Sequence, residues 1–143
     1  MKKKGSCSDY TDQRNRELLR AMSEVVRDGH STRVMDHAVQ RPCSRFWVSE
    51  DRATVVMRSH LIDGKPLSAK MQPNKRAMYE EIARRIRCLK ANNPSITMRQ
   101  AVRDVIYSPA PCFYMTADGG AATIKKSRKK WIRETEEKLK YLL

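Results

Sequence analysis

Apolar residues recur every three to four positions in several stretches of the chain, and the pattern of the first half returns in the second. Leu18, Leu19, Met22, Val25 and Val26 stand at i, i+1, i+4, i+7 and i+8, which is one face of a helix. Met78, Tyr79, Ile82, Ala83, Ile86 and Leu89 draw a matching face in the second half. A shorter face follows each: Val34, Met35, Ala38 and Val39, then Ala101, Val102, Val105 and Ile106. Each ends near a proline, Pro42 or Pro109, because proline cannot continue a helix. Local signals agree with this reading. Asp12 is placed to cap the first helix and Gly29 to close it, and Pro73 suits a first turn. The second helix of the first half is expected from Ser31 or Thr32, and Thr97-x-x-Gln100 is a capping box for its counterpart. Ser49 and Thr116 are good N-caps for third helices over about 50–61 and from about 118, the latter able to run on to Leu143.

Residues 42–49 read Pro-Cys-Ser-Arg-Phe-Trp-Val-Ser, and residues 109–116 read Pro-Ala-Pro-Cys-Phe-Tyr-Met-Thr. At an offset of 67, Pro42 meets Pro109, Phe46 meets Phe113, Trp47 meets Tyr114 and Ser49 meets Thr116. Self-similarity in the same order predicts a tandem duplication with a period of about 65 residues. The expected fold is all-α, two pseudo-symmetric trihelical repeats with a long basic C-terminal helix. The divisions are a flexible basic N-terminus (1–13), repeat 1 (14–62), a linker (63–73), repeat 2 (74–130) and an amphipathic tail (131–143). The repeats either share one core or stand side by side. No regular sheet is expected, although a short β-bridge between 46–48 and 113–115 would suit the pseudo-symmetry.

Charge changes the picture most. The 143 residues hold 30 Lys plus Arg against 16 Asp plus Glu, a net charge of +14. Such a chain attracts polyanions, so the charge favours nucleic acid, or an anionic membrane surface, as partner. Cationic substrates and acid-rich metal sites are disfavoured. No apolar run approaches the roughly 20 residues that span a bilayer. The N-terminus has no hydrophobic stretch behind its lysines, so no membrane association is expected and the cytoplasm is the default location. Cys7, Cys43, Cys88 and Cys112 are widely spaced and read as free thiols, with neither a disulfide framework nor a zinc site. His30, His37 and His60 form no catalytic or metal-binding pattern, and nucleotide-binding and hydrolase motifs are missing. Asp118-Gly119-Gly120 is either a phosphate-cradling loop or the loose first turn of a helix. The expectation is a non-enzymatic protein with no cofactor and no metal.

From residue 121 to 133 there is no acid, while Lys125, Lys126, Arg128, Lys129, Lys130 and Arg133 supply six positive charges. Like charges at i, i+4 weaken an isolated helix, and phosphate contact would offset that cost. Arg52 and Arg58 are assigned to the same role from the first repeat. DNA is favoured over RNA. Lys75, Arg76, Arg84, Arg85, Arg87 and Lys90 form a second cluster, diluted by Glu80 and Glu81, and Arg41 and Arg45 flank the aromatic motif. The aromatic pairs Phe46-Trp47 and Phe113-Tyr114 are expected in the core, with base stacking as the alternative. The tail after Trp131 is amphipathic, and either packs back on the repeats or serves as a homodimer or protein contact.

Two three-helix units in tandem, whose third helix would enter the DNA groove, resemble the helix-turn-helix class in its Myb-type or homeodomain-like arrangement. The resemblance covers roughly residues 14–61 and 74–130. It implies DNA binding through the helices at 50–61 and 118–133. About seven residues, 42–48 and 109–115, separate the last two helices of each unit, where that class has a turn of three or four. The repeated Pro-x-x-x-Phe-aromatic motif is also similar to small proteins of gut Bacteroidetes and their phages or mobile elements, which implies a DNA-handling context. The alternative is a structural or protein-interaction module of a phage or nucleoprotein assembly, possibly associated with RNA.

Overall fold

A computed structural model describes residues 10–142. The basic N-terminal stretch with Lys2, Lys3, Lys4 and Cys7, and the last residue, Leu143, lie outside the described residues. The described chain is all-α: α1 Thr11–Arg27, α2 Val34–Ala38, α3 Glu50–Met57, α4 Pro73–Asn92, α5 Met98–Ile106 and α6 Ala117–Leu142. No strand occurs among these residues, and α3 runs on into a π-helical turn, Arg58–Ile62.

The third helices start where the sequence predicts. Ser49 accepts a hydrogen bond from the Arg52 N–H (3.1 Å), and Thr116 accepts one from the Gly119 N–H (3.0 Å). Each satisfies a backbone donor that the first helical turn leaves open. Thr97 caps α5 through the Gln100 N–H (3.2 Å), but the Gln100 side chain turns forward to Asp104 (2.8 Å), so the capping box is half made. Two expectations are corrected. The residue before α1 is Tyr10, and Asp12 sits inside the first turn. The short helix α2 begins at Val34, because Arg33 adopts a left-handed backbone (φ 53°) that interrupts a start at Ser31 or Thr32. At the other end of α1 the loop turns at Gly29 with φ 102°, the region where glycine carries no Cβ penalty.

The two Pro-to-aromatic segments cross each other at the centre. Cys43 and Ala110 form one antiparallel bridge, exchanging N–H to C=O hydrogen bonds of 3.0 Å in both directions. The Phe46 N–H donates to the Ile106 carbonyl and the Phe113 N–H to the Val39 carbonyl, each at 2.9 Å. These bonds satisfy backbone groups that burial would otherwise leave unpaired. They also relate positions 67 apart: Cys43 to Ala110, Phe46 to Phe113, Val39 to Ile106. The bridge lies three residues upstream of the expected 46–48 and 113–115 pairing.

Crossing has a consequence for packing. α3 lies against α5 and α4, whereas α6 lies against α1 and α2. Each third helix therefore packs on helices from the other half of the sequence. One core results, in which Leu18, Val25, Phe46, Met57, Ile82, Ile86, Val102 and Ile106 are fully or almost fully buried. The aromatic motif is part of it. Phe46 stacks on Tyr114 (6.0 Å between ring centroids) and Trp47 on Phe113 (6.3 Å). Phe46, Trp47 and Phe113 are buried and Tyr114 is half-buried, so these rings present no stacking platform for bases.

Candidate nucleic-acid interface

α6 is a single helix of 26 residues, and its contacts divide it lengthwise. Gly120, Ile124 and Ser127 are buried and Trp131 is half-buried. At about 100° per residue these four share one face. Gly120 allows the closest approach. A Cβ there would lie 2.8 Å from the Met35 sulfur and 3.2 Å from Val39 Cγ1. The glycine pair is thus the first turn of a helix pressed onto α2, and any side chain at its second member must displace Met35. Ser127 Oγ accepts a buried hydrogen bond from Asn15 Nδ2 (2.8 Å), which ties α6 to α1. Lys130 approaches Asp12 (3.9 Å), and the Arg16 guanidinium lies 5.7 Å from the Trp131 ring centre. With Asp12 near Lys130 and Asn15 on Ser127, α1 and α6 run antiparallel.

The opposite face carries the charge. Lys125, Lys126, Arg128, Lys129, Lys130 and Arg133 are all exposed. Apart from the long Lys130–Asp12 contact, none of the six has an ion pair or side-chain hydrogen bond among the described residues. Lys125, Lys126, Lys129, Lys130 and Arg133 span roughly 140° of the helix circumference, centred away from the core. Sequence reasoning missed Arg16, an exposed cation of α1 that lies beside Trp131. No linear signal marks it, because only the antiparallel packing of α1 on α6 brings it to Trp131.

The other cations differ in kind, because the fold uses many of them. Arg41 pairs with Asp28 and approaches Glu24 (3.9 Å). Arg45 donates to the carbonyls of Phe46 (3.0 Å) and Val48 (2.7 Å) and lies over the Tyr107 ring (4.6 Å). Arg84 and Arg85 both bind Glu81 (2.7 Å each), and the hydrogen bond from Arg84 leads in holding that carboxyl down at about 2. Arg85 also reaches the Pro109 carbonyl (2.8 Å) and covers the Phe46 ring (4.9 Å). Arg76 donates to the Ser68 carbonyl and Lys90 to that of Ile96 (3.3 Å).

Arg52 and Arg58 are exposed, but they belong to α3 and the π-helical turn, on the half of the fold away from α6. Arg52 edges a cavity of about 510 Å³ with Trp47, Lys75 and Tyr79. The acids at the start of α3 face α5. Glu50 accepts from Arg103 (2.9 Å) and Tyr107 (2.7 Å), with the Arg103 bond the main cause of its lowered carboxyl pKa, and Asp51 pairs with Arg99 (3.3 Å). The acids in the N-terminal turn of α3 are therefore occupied, whereas Asp118 in the first turn of α6 has no ion pair among the described residues.

Three cysteines are free thiols, Cys43, Cys88 and Cys112, with Cys7 outside the described residues. Burial pushes the Cys43 thiol up to about 12, so it is a protonated, unreactive group inside the crossing. His30 and His37 stack with ring centroids 4.1 Å apart, a pairing invisible in the sequence, and both are exposed. Among the described residues no group of His, Cys, Asp and Glu is placed to hold a metal ion, and no helix is long and apolar enough to cross a membrane. No family model matches the chain, and no curated protein or solved structure matches it.

Proposed function

We propose that this protein is a non-enzymatic nucleic-acid-binding protein whose α6 grips the phosphate backbone, with duplex DNA as the preferred target. One observation carries the reading. The fold uses many of its other cations internally, yet leaves Lys125, Lys126, Arg128, Lys129 and Arg133 exposed and unpaired on one helix among the described residues. Close like charges raise the energy of the folded state unless a polyanion neutralises them. Arg52 and Arg58 supply a separate, weaker contact. The relations between positions 67 apart support a duplicated origin, two trihelical units that exchange their third helices. In that reading the copies have diverged, the α3 copy towards internal ion pairs and the α6 copy towards phosphate. A regulator or an accessory factor of a phage or mobile element both suit a small basic binder.

The test is fluorescence anisotropy with labelled duplex DNA, single-stranded DNA and RNA across a salt series. The reading expects tightest binding to duplex, with log K falling linearly with log salt at about 0.9 per phosphate engaged. Failure to bind any of the three at physiological salt would overturn it. A second reading, a protein-interaction module of a nucleoprotein assembly, draws on the exposed apolar side chains of the last turns of α6.

A further inference from the structure

Beyond Trp131, α6 leaves the core. Ile132, Leu139 and Leu142 are 59%, 48% and 78% exposed, and every described side chain from residue 132 onward is exposed. Ile132, Thr135, Leu139 and Leu142 are spaced 3, 4 and 3 residues apart, which aligns them in one stripe, the seam spacing of paired helices. The stripe has a continuation. On the same side of α6, Met22, Met35, Ala121, Ile124 and Ile132 floor a groove of about 510 Å³ with Lys125, Arg128 and Lys129 at its rim. One molecule therefore presents an apolar ridge at one end of α6 and an apolar groove with a basic rim at the other.

We infer that the occupant of the groove is the ridge of a second copy, so that two α6 helices pair antiparallel into a homodimer. The register follows from the spacing. With Ile132 of one copy beside Thr135 of its partner, Leu139 falls opposite Arg128 and Leu142 opposite Lys125. Both leucines then enter the groove, and the aliphatic stems of Lys125 and Arg128 cover them. Charge selects the orientation. Glu136 and Lys129 lie on the same flank of the stripe, and antiparallel pairing sets each Glu136 against the other copy's Lys129, twice by symmetry. A parallel pair would turn that flank of each copy towards the opposite flank of the other, where Ile124, Trp131 and Lys138 stand, and would make no such pair. Lys126, Lys130 and Arg133 point away from the seam, whereas Lys125, Arg128 and Lys129 border it; the dimer does not rest on the nucleic-acid reading and is tested without nucleic acid.

The experiment is analytical ultracentrifugation of the full chain from about 1 to about 100 μM. The expected result is reversible association to twice the 16.6 kDa chain mass. Leu139→Glu with Leu142→Glu is expected to weaken association at least about 100-fold, with the far-UV circular dichroism of the core retained. Lys129→Glu alone and Glu136→Lys alone are each expected to weaken it several-fold, and an equimolar mixture of these two variants to recover it, since every cross-pair is then opposite in sign. Recovery on mixing also excludes misfolding of either variant. A monomer at all concentrations would overturn the inference and leave the stripe for an acidic amphipathic segment of another protein. A dimer indifferent to the leucine changes, or one not recovered by mixing, would overturn it too.

Discussion

Cys43 and Ala110 hydrogen-bond to each other in both directions, and this bridge lies where the two halves of the chain cross one another. Because α3 and α6 each pack on helices from the other half, neither half contains its own complete set of three helices. Unfolding is therefore expected to be one cooperative transition, with far- and near-ultraviolet circular dichroism coincident in urea. Ala110→Pro removes the donor from the bridge and is expected to cost about 1–3 kcal/mol. Two resolved transitions would contradict the exchanged packing.

Gly120 sets the distance between α6 and α2. A larger side chain must displace Met35 and Val39, so Gly120→Leu is expected to lower stability by about 1–3 kcal/mol despite leucine's better helix propensity. Urea midpoints at constant m-value test this. A neutral or stabilising result would mean that α6 is not seated where the contact places it.

Ser127→Ala leaves the buried Asn15 amide without its acceptor, at an expected cost of about 1–3 kcal/mol. The double variant Asn15→Leu with Ser127→Ala removes both partners and is expected to recover part of that loss. A strictly additive double-mutant cycle would contradict the coupling of α1 to α6.

Acid is expected to loosen the crossing through Glu81. Its folded-state carboxyl is held at about 2, chiefly by Arg84, below the ordinary 4.5. A depressed carboxyl contributes stability above its ordinary pKa and loses it as pH falls towards the folded value, so the loss falls between about 4.5 and 2. Arg84 is well exposed, so the effect is at most about 1 kcal/mol after solvent screening. Glu81→Gln should flatten that part of the urea-midpoint profile against pH. An unchanged profile would remove Glu81 from the account.

The two tryptophans divide the molecule for spectroscopy. Trp47 is buried at the crossing, whereas Trp131 is half-buried on α6 beside Arg16. Emission changes on adding duplex DNA are expected to come from Trp131. Trp131→Phe should abolish them and Trp47→Phe should leave them, and the opposite pattern would place contact elsewhere.

What the sequence made legible is local. Ser49 and Thr116 cap their helices because capping depends on the next three residues, and the buried face of α4 follows from the spacing of Met78, Tyr79, Ile82 and Ile86. What it left hidden depends on partners. Ala53 and Ile124 are buried, and nothing in the local pattern says that the helix of the first packs on the second half of the chain and the helix of the second on the first half. The Cys43–Ala110 bridge lies upstream of the aromatic residues because the Phe46 and Phe113 N–H groups donate to the Ile106 and Val39 carbonyls instead of pairing across the two segments. The candidate cations on α6 were readable as a run without acids. Which cations elsewhere are occupied, such as Arg45 and Arg85, was not readable, since their partners are backbone carbonyls and distant rings.

The central claim is that α6, and not net charge alone, holds nucleic acid. The decisive measurement compares two variants that each lose four positive charges, by anisotropy on duplex DNA across a salt series. One changes Lys125, Lys126, Lys129 and Lys130 to Gln, and the other changes the exposed Arg27, Lys65, Lys70 and Arg87 to Gln. The α6 variant is expected to lose about 3 to 4 from the slope of log K against log salt, and most of its affinity, while the other changes little. Equal losses in both, or retained affinity in the α6 variant, would contradict it.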